Sequence, residues 1–168
     1  VSLGAGALCR LLSERPDRFA RVVFFLPAVL DRLRSAAARA RLETLAAEAA
    51  SGDRAAVLRT LAADLPATDR AAQAFLARQA DALLAPGLSR ALPGIADLGA
   101  LPEATALRQV VAPALVLAAR GDRLHPVQVA ERLAALLPSA TLHVYAEPGV
   151  LWHQRTDLRR RISGFLGA

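Results

Sequence analysis

The chain has 168 residues, of which 54% are hydrophobic, 21% charged and only 4% aromatic, with no Met; this excludes a disordered chain and predicts one domain, or one domain with an excursion, whose core is built from Leu, Val and Ala. All 21 basic residues are Arg, dispersed from Arg10 to Arg161 among Asp and Glu, so the net charge of +6 reads as solvated helix faces and not as a nucleic-acid groove. A single cysteine, Cys9, excludes an internal disulfide and a multi-cysteine zinc site. One thiol fits a reducing compartment or carries no redox information, and the location is taken as cytoplasmic. No run of eighteen uncharged apolar residues and no signal-peptide pattern occurs, so no membrane partner is expected.

In chain order, Ala5, Leu8, Leu11 and Leu12 recur at helical spacing after Ser2, and Pro16 stops that helix, with Cys9 as core filler on its apolar face. Arg21 to Leu26 is a continuous apolar run, predicted as a strand buried on both faces and ended by Pro27. From Ala28 to about Leu107 no comparable strand is expected. Ala, Leu and Arg-rich helices there are broken at Ser51-Gly52, Leu65-Pro66, Pro86-Gly87, Pro93-Gly94 and Pro102. A second buried strand is predicted over Val110 to Ala118, followed by the turn Ala119-Arg-Gly-Asp-Arg-Leu-His-Pro126 and a helix to Leu137. A third strand, Thr141 to Tyr145, precedes Glu147-Pro148-Gly149 and a last amphipathic helix carrying Leu158, Ile162, Phe165 and Leu166. The expected division is residues 1–27 and 110–168 as an α/β core, with 28–109 as a helical cap.

The opening Ser2-Leu-Gly-Ala-Gly6 is what remains of a G-x-S-x-G turn when the first Gly is absent. With the segment Val111 to Pro126 and the ending Leu136 to Leu166, it resembles the C-terminal half of an α/β-hydrolase, from the nucleophile elbow onward. The resemblance implies a partial α/β-hydrolase fold: three parallel strands with flanking helices and an all-helical cap. It also implies a hydrolase that acts on ester, amide or related carbonyl compounds of small-molecule size, without cofactor or metal. Ser2 would be the nucleophile, the Leu3 backbone N–H an oxyanion donor, and Asp122, in a G-x-D-x-x-x-P turn, the acid that orients a histidine. From the serine alone, a helix N-cap is the competing role. For Asp122, an ordinary Gly-Asp turn competes.

The histidine is where the pattern departs. Relatives place the base just after the last strand, and there this sequence reads Pro148-Gly-Val-Leu-Trp152. Proline has no ionisable group, so Ser2 is expected to lack its activating base. Of the three histidines, His153 lies beyond that loop and reads as a surface residue, His125 as a cap for the following helix, and His143 as a structural residue in mid-strand. By the resemblance, the front half of the fold is expected to be missing, which would leave the Arg21 to Leu26 strand with an open edge and predicts self-association through it. Two further readings stay open: a non-catalytic homologue that binds a small apolar ligand or a protein partner, and a helical binder of acidic partners.

Overall fold

A computed structural model describes residues 1–63 and 70–167. Among the described residues there are three strands, β1 (Val22–Phe25), β2 (Ala114–Ala119) and β3 (Ala140–Tyr145), in one parallel sheet of order β1-β2-β3. Val22 to Phe25 stand opposite Ala114 to Leu117, and Ala114 to Ala119 opposite Ala140 to Tyr145. Every residue of β2 is buried, as a central parallel strand covered on both faces requires. The pleat sorts its side chains: Ala114, Val116 and Ala118 join one core, and Leu115, Leu117 and Ala119 the other.

Helix α1 (Leu3–Glu14) supplies Ala5, Cys9 and Leu12 to the first core, together with Phe24 of β1. Ala130, Leu133 and Leu136 of a second helix, Val127–Leu136, complete that face. The second core is closed by Val150 of a short helical turn, Val150–His153, and by Leu158, Ile162 and Phe165 of the last helix, Arg155–Leu166. The apolar side chains of β1 are therefore covered, Phe24 and Phe25 being buried. What its outer edge offers is backbone, one end of which is taken by Ser2, whose N–H donates to Phe25 O.

The strands differ from expectation at their starts. β2 begins at Ala114, not Val110, because Pro113 has no N–H for the ladder; the first rung is Ala114 N–H donating to Ser139 O at 3.0 Å. Residues ahead of it form a 3-10 turn, Thr105–Gln109. Arg21 stays outside β1, its guanidinium donating to Phe165 O and lying 5.7 Å from the Phe165 ring centre.

The chain divides into two compact units, Val1–Leu33 with Gly99–Ala168, and Arg34–Leu98. The helical unit is thus narrower than residues 28–109. Val29, Leu30, Leu101, Ala104 and Leu107 are buried in the sheet's own core, and Leu30 O accepts both Ala100 N–H (2.8 Å) and Leu101 N–H (3.0 Å). Asp31 is held there by Arg132, whose Nε donates to Oδ1 at 2.9 Å while its terminal nitrogen donates to Oδ2.

Among the described residues, the unit Arg34–Leu98 contains α2 (Ala36–Ser51), α3 (Arg54–Ala62), α4 (Arg70–Leu84) and α5 (Pro86–Ile95). They share a core of Leu45, Ala46, Ala49, Val57, Ala80, Leu92 and Ile95. Ser35 Oγ accepts from Ala38 N–H and Asp53 Oδ1 from Ala56 N–H, capping α2 and α3, and Gly52 ends α2 in the left-handed region at φ 74°. Pro86 opens α5 where a break was expected, since its missing N–H has no helical partner at the first position. Pro93 lies inside α5 and does not break it, because Leu92 and Ile95 on either side are buried in the core. The expected break at Leu65-Pro66 lies outside the described residues. The helices after β2 are accordingly α6 (Val127–Leu136), α7 (Val150–His153) and α8 (Arg155–Leu166). Among the described residues no helix is long and apolar enough to cross a membrane.

Leu117 is fully buried in mid-strand, so Leu117→Ala should cost about 2–5 kcal/mol through lost transfer energy and a cavity. Val111→Ala, at a largely exposed position, should stay within about 0.5 kcal/mol. Urea titrations of the two variants check this, through the denaturation midpoint at constant m.

Candidate active site

The strands' C-terminal ends bring together Ser2, the turn after β2 and the loop after β3, the edge at which open α/β sheets place their sites. Ser2 sits at the start of α1 with φ 49° and ψ −115°, a conformation that L residues rarely adopt. Its hydroxyl does not cap α1. It lies 3.0 Å from His125 Nε2. Leu3 opens the helix, so its N–H has no intrahelical acceptor and stands at the positive end of the helix dipole beside the Ser2 hydroxyl.

After β2, Arg120 N–H donates to Tyr145 O at 2.9 Å, extending the ladder by one residue, and Gly121 reverses the chain at φ 76°. Asp122 then uses both carboxylate oxygens. Oδ1 accepts the N–H groups of Leu124 and His125, each at 3.0 Å, and Oδ2 lies 2.9 Å from His125 Nδ1. An ionised carboxylate only accepts, so the Nδ1 proton belongs to this bond, and in the neutral ring the Nε2 lone pair then faces the Ser2 hydroxyl. The two side chains are 17% and 19% exposed, covered enough to strengthen the pair yet open to a substrate. Burial pushes the Asp122 carboxyl up, but the His125 ring and the backbone N–H groups of His125 and Leu124 outweigh it and hold the pKa below the usual carboxylate value.

No histidine was expected beside Ser2 and Asp122, yet the His125 ring lies between them. His125 does not cap the next helix, α6, which starts after Pro126 with no side-chain cap; its ring bridges the serine and the acid. The local signal was the Asp-x-x-His spacing: a turn folded around one carboxylate returns the side chain at i+3 to that carboxylate. Pro148, at the position where the resemblance implies a base, packs instead behind this turn, its ring carbons 3.5 and 3.9 Å from where a Gly121 Cβ would stand. His153 is exposed at the end of α7, and His143 lies half-buried in β3 with its ring edge-on to Tyr145 at 4.5 Å. Cys9 is buried in the core and its thiol is pushed up to about 12 by burial, which keeps it protonated. Among the described residues no three His, Cys, Asp or Glu side chains are grouped to hold a metal ion.

No protein-family model and no curated protein matches the chain. Solved structures do. An esterase from Exiguobacterium antarcticum superposes with a TM-score of 0.75 at 13% identity, over 99% of this chain and 65% of that one. A 2-hydroxy-6-oxo-6-phenylhexa-2,4-dienoate hydrolase from a Rhodococcus species gives 0.76 at 17% identity, over 99% and 62%, and a thermophilic esterase from Thermogutta terrifontis gives 0.71 at 20%, over 99% and 62%. The chain thus has the α/β-hydrolase fold, in part: it spans 62 to 65% of the length of these structures.

Because the folded-state pKa of Asp122 is lowered, its contribution to stability is present above the unfolded value of about 3.9 and is lost as pH falls through the lower folded value. Asp122→Asn keeps an acceptor for the two backbone N–H groups and removes this titration. Thermal melts between about pH 5 and pH 2 should therefore show the wild type losing its advantage over the variant on acidification. A constant difference across that range would contradict the assignment.

Proposed function

We propose that this chain, with its α/β-hydrolase fold, carries the reaction centre of a serine hydrolase acting on ester, amide or related carbonyl substrates of small-molecule size. The observation that carries the reading is the relay itself: Ser2 Oγ to His125 Nε2 at 3.0 Å and His125 Nδ1 to Asp122 Oδ2 at 2.9 Å. Ser2 Oγ attacks the carbonyl carbon while its proton passes to His125 Nε2, and the carbonyl π pair moves onto oxygen. Asp122 holds the ring in the tautomer that accepts this proton and stabilises the imidazolium. The Leu3 N–H donates to the developing oxyanion. Collapse of the tetrahedral adduct expels the alcohol or amine, which takes the proton from His125; water, deprotonated by the same ring, then releases the acid and restores Ser2.

The proposed partner is a small molecule, not a nucleic acid. Several cations are already committed to carboxylates, Arg132 to Asp31, Arg54 to Asp81, Arg39 to Asp97, and Arg160 with Arg161 to Asp157. Pairing of a second copy on the outer backbone edge of β1 is part of the same proposal and is read by size-exclusion chromatography with light scattering, where a concentration-independent monomer rejects it.

A fluorophosphonate probe should label the protein at Ser2, and Ser2→Ala should abolish labelling. His125→Ala should slow it by about 10²–10⁴, while His153→Ala, at an exposed position outside the relay, should leave it unaltered. Unlabelled wild type, or His125→Ala labelled at the wild-type rate, means that the relay is not a catalytic one and favours the non-catalytic homologue.

A further inference from the structure

Among the described residues two non-glycine positions have positive φ, Ser2 at 49° and Leu26 at 50°, and they are bonded to each other. Ser2 N–H donates to Leu26 O and to Phe25 O, both at 3.2 Å. Leu26 is an unexpected place for a left-handed turn, since it is a bulky residue and precedes Pro27, and a following proline confines its predecessor to extended backbone. Such strain persists where the surroundings over-determine it.

The sheet explains what the turn accomplishes. In a strand, the N–H and C=O of one residue point to the same side. Val22 and Leu26 both send their N–H toward the β2 side, onto Pro113 O (3.0 Å) and Leu117 O (2.8 Å). Regular continuation would send Leu26 C=O that way too, leaving Ser2 N–H with Phe25 O alone. The left-handed conformation turns the carbonyl across the chain, so that two successive carbonyls converge on the backbone N–H of the serine.

We infer that Leu26 is a positioning residue: its strained peptide clamps the Ser2 N–H, keeps Ser2 in its own strained conformation, and thereby holds Oγ against His125 Nε2 and Leu3 N–H toward the oxyanion. The inference rests on the hydrolase reading for its consequence in rate, while the clamp itself is independent of that reading.

Leu26→Gly and Leu26→Ala separate the clamp from packing, because both remove the side chain and only glycine enters the left-handed region freely. Leu26→Gly should be labelled by fluorophosphonate about tenfold faster than Leu26→Ala, with the gap in kcat and not in KM on a p-nitrophenyl ester. Leu26→Val, β-branched, should fall below both. Equal rates for Gly and Ala, or valine ahead of glycine, overturn the inference in favour of apolar packing. If valine does not fold, the Gly and Ala pair decides alone. If the wild type itself is not labelled, the hydrolase reading fails, and amide hydrogen exchange at Ser2 decides the clamp: slower exchange in Leu26→Gly than in Leu26→Ala upholds it, and equal exchange rejects it.

Discussion

Everything at the candidate site hangs on the Asp122 carboxylate, which ties a backbone turn and an imidazole with one group. Oδ1 closes the turn through two N–H groups, and Oδ2 fixes the ring that the same turn delivers. Because donor and acceptor are three residues apart, this half of the site is built locally, and its geometry depends on Gly121 and on the end of β2 more than on any distant loop. A negative charge left partly buried without those donors would be costly; with them it is held ionised and keeps the ring's other nitrogen free to accept.

Ser2 arrives by a separate route. Its place is set by the end of β1, through Phe25 O and Leu26 O, and the distance between the two halves is then the parallel register of β1 on β2, with Leu26 N–H on Leu117 O as the last rung. The apolar filling on both faces of β2 holds that register: a slip of one residue would exchange the side chains of the two cores. Packing at Val116 and Leu117 and a hydroxyl 3.0 Å from a ring nitrogen are thus one mechanical problem.

The loop after β3 takes a different part from the one its position suggests. Pro148 supplies a rigid wall behind Gly121, and Gly149, at φ 80°, turns the chain where a side chain would meet Trp152 and His153. A histidine on that loop would need its own orienting contacts across two loops. A histidine three residues from its carboxylate partner obtains its orientation from one turn, and the proline beside it is compatible with that arrangement.

Periodicity and continuous apolar runs made the strands, the helix after Ser2 and the helical stretch between them legible, because burial on one or both faces writes itself into spacing. Ser2 among its small neighbours and the Gly-Asp turn could be picked out for the same reason: small residues and turn residues answer to local backbone demands. The break expected at Pro86 falls between α4 and α5, whereas Pro93 was misread, since local propensity there yields to the burial of Leu92 and Ile95. What residues alone could not decide was the partner of His125. The three histidines stand in a turn, in mid-strand and at a helix end, but the proximity of the one in the turn to a serine 123 residues away is made by β1 pairing with β2, a contact whose register no short stretch of sequence contains. The turn was written in the sequence; that it faces Ser2 was decided by the sheet.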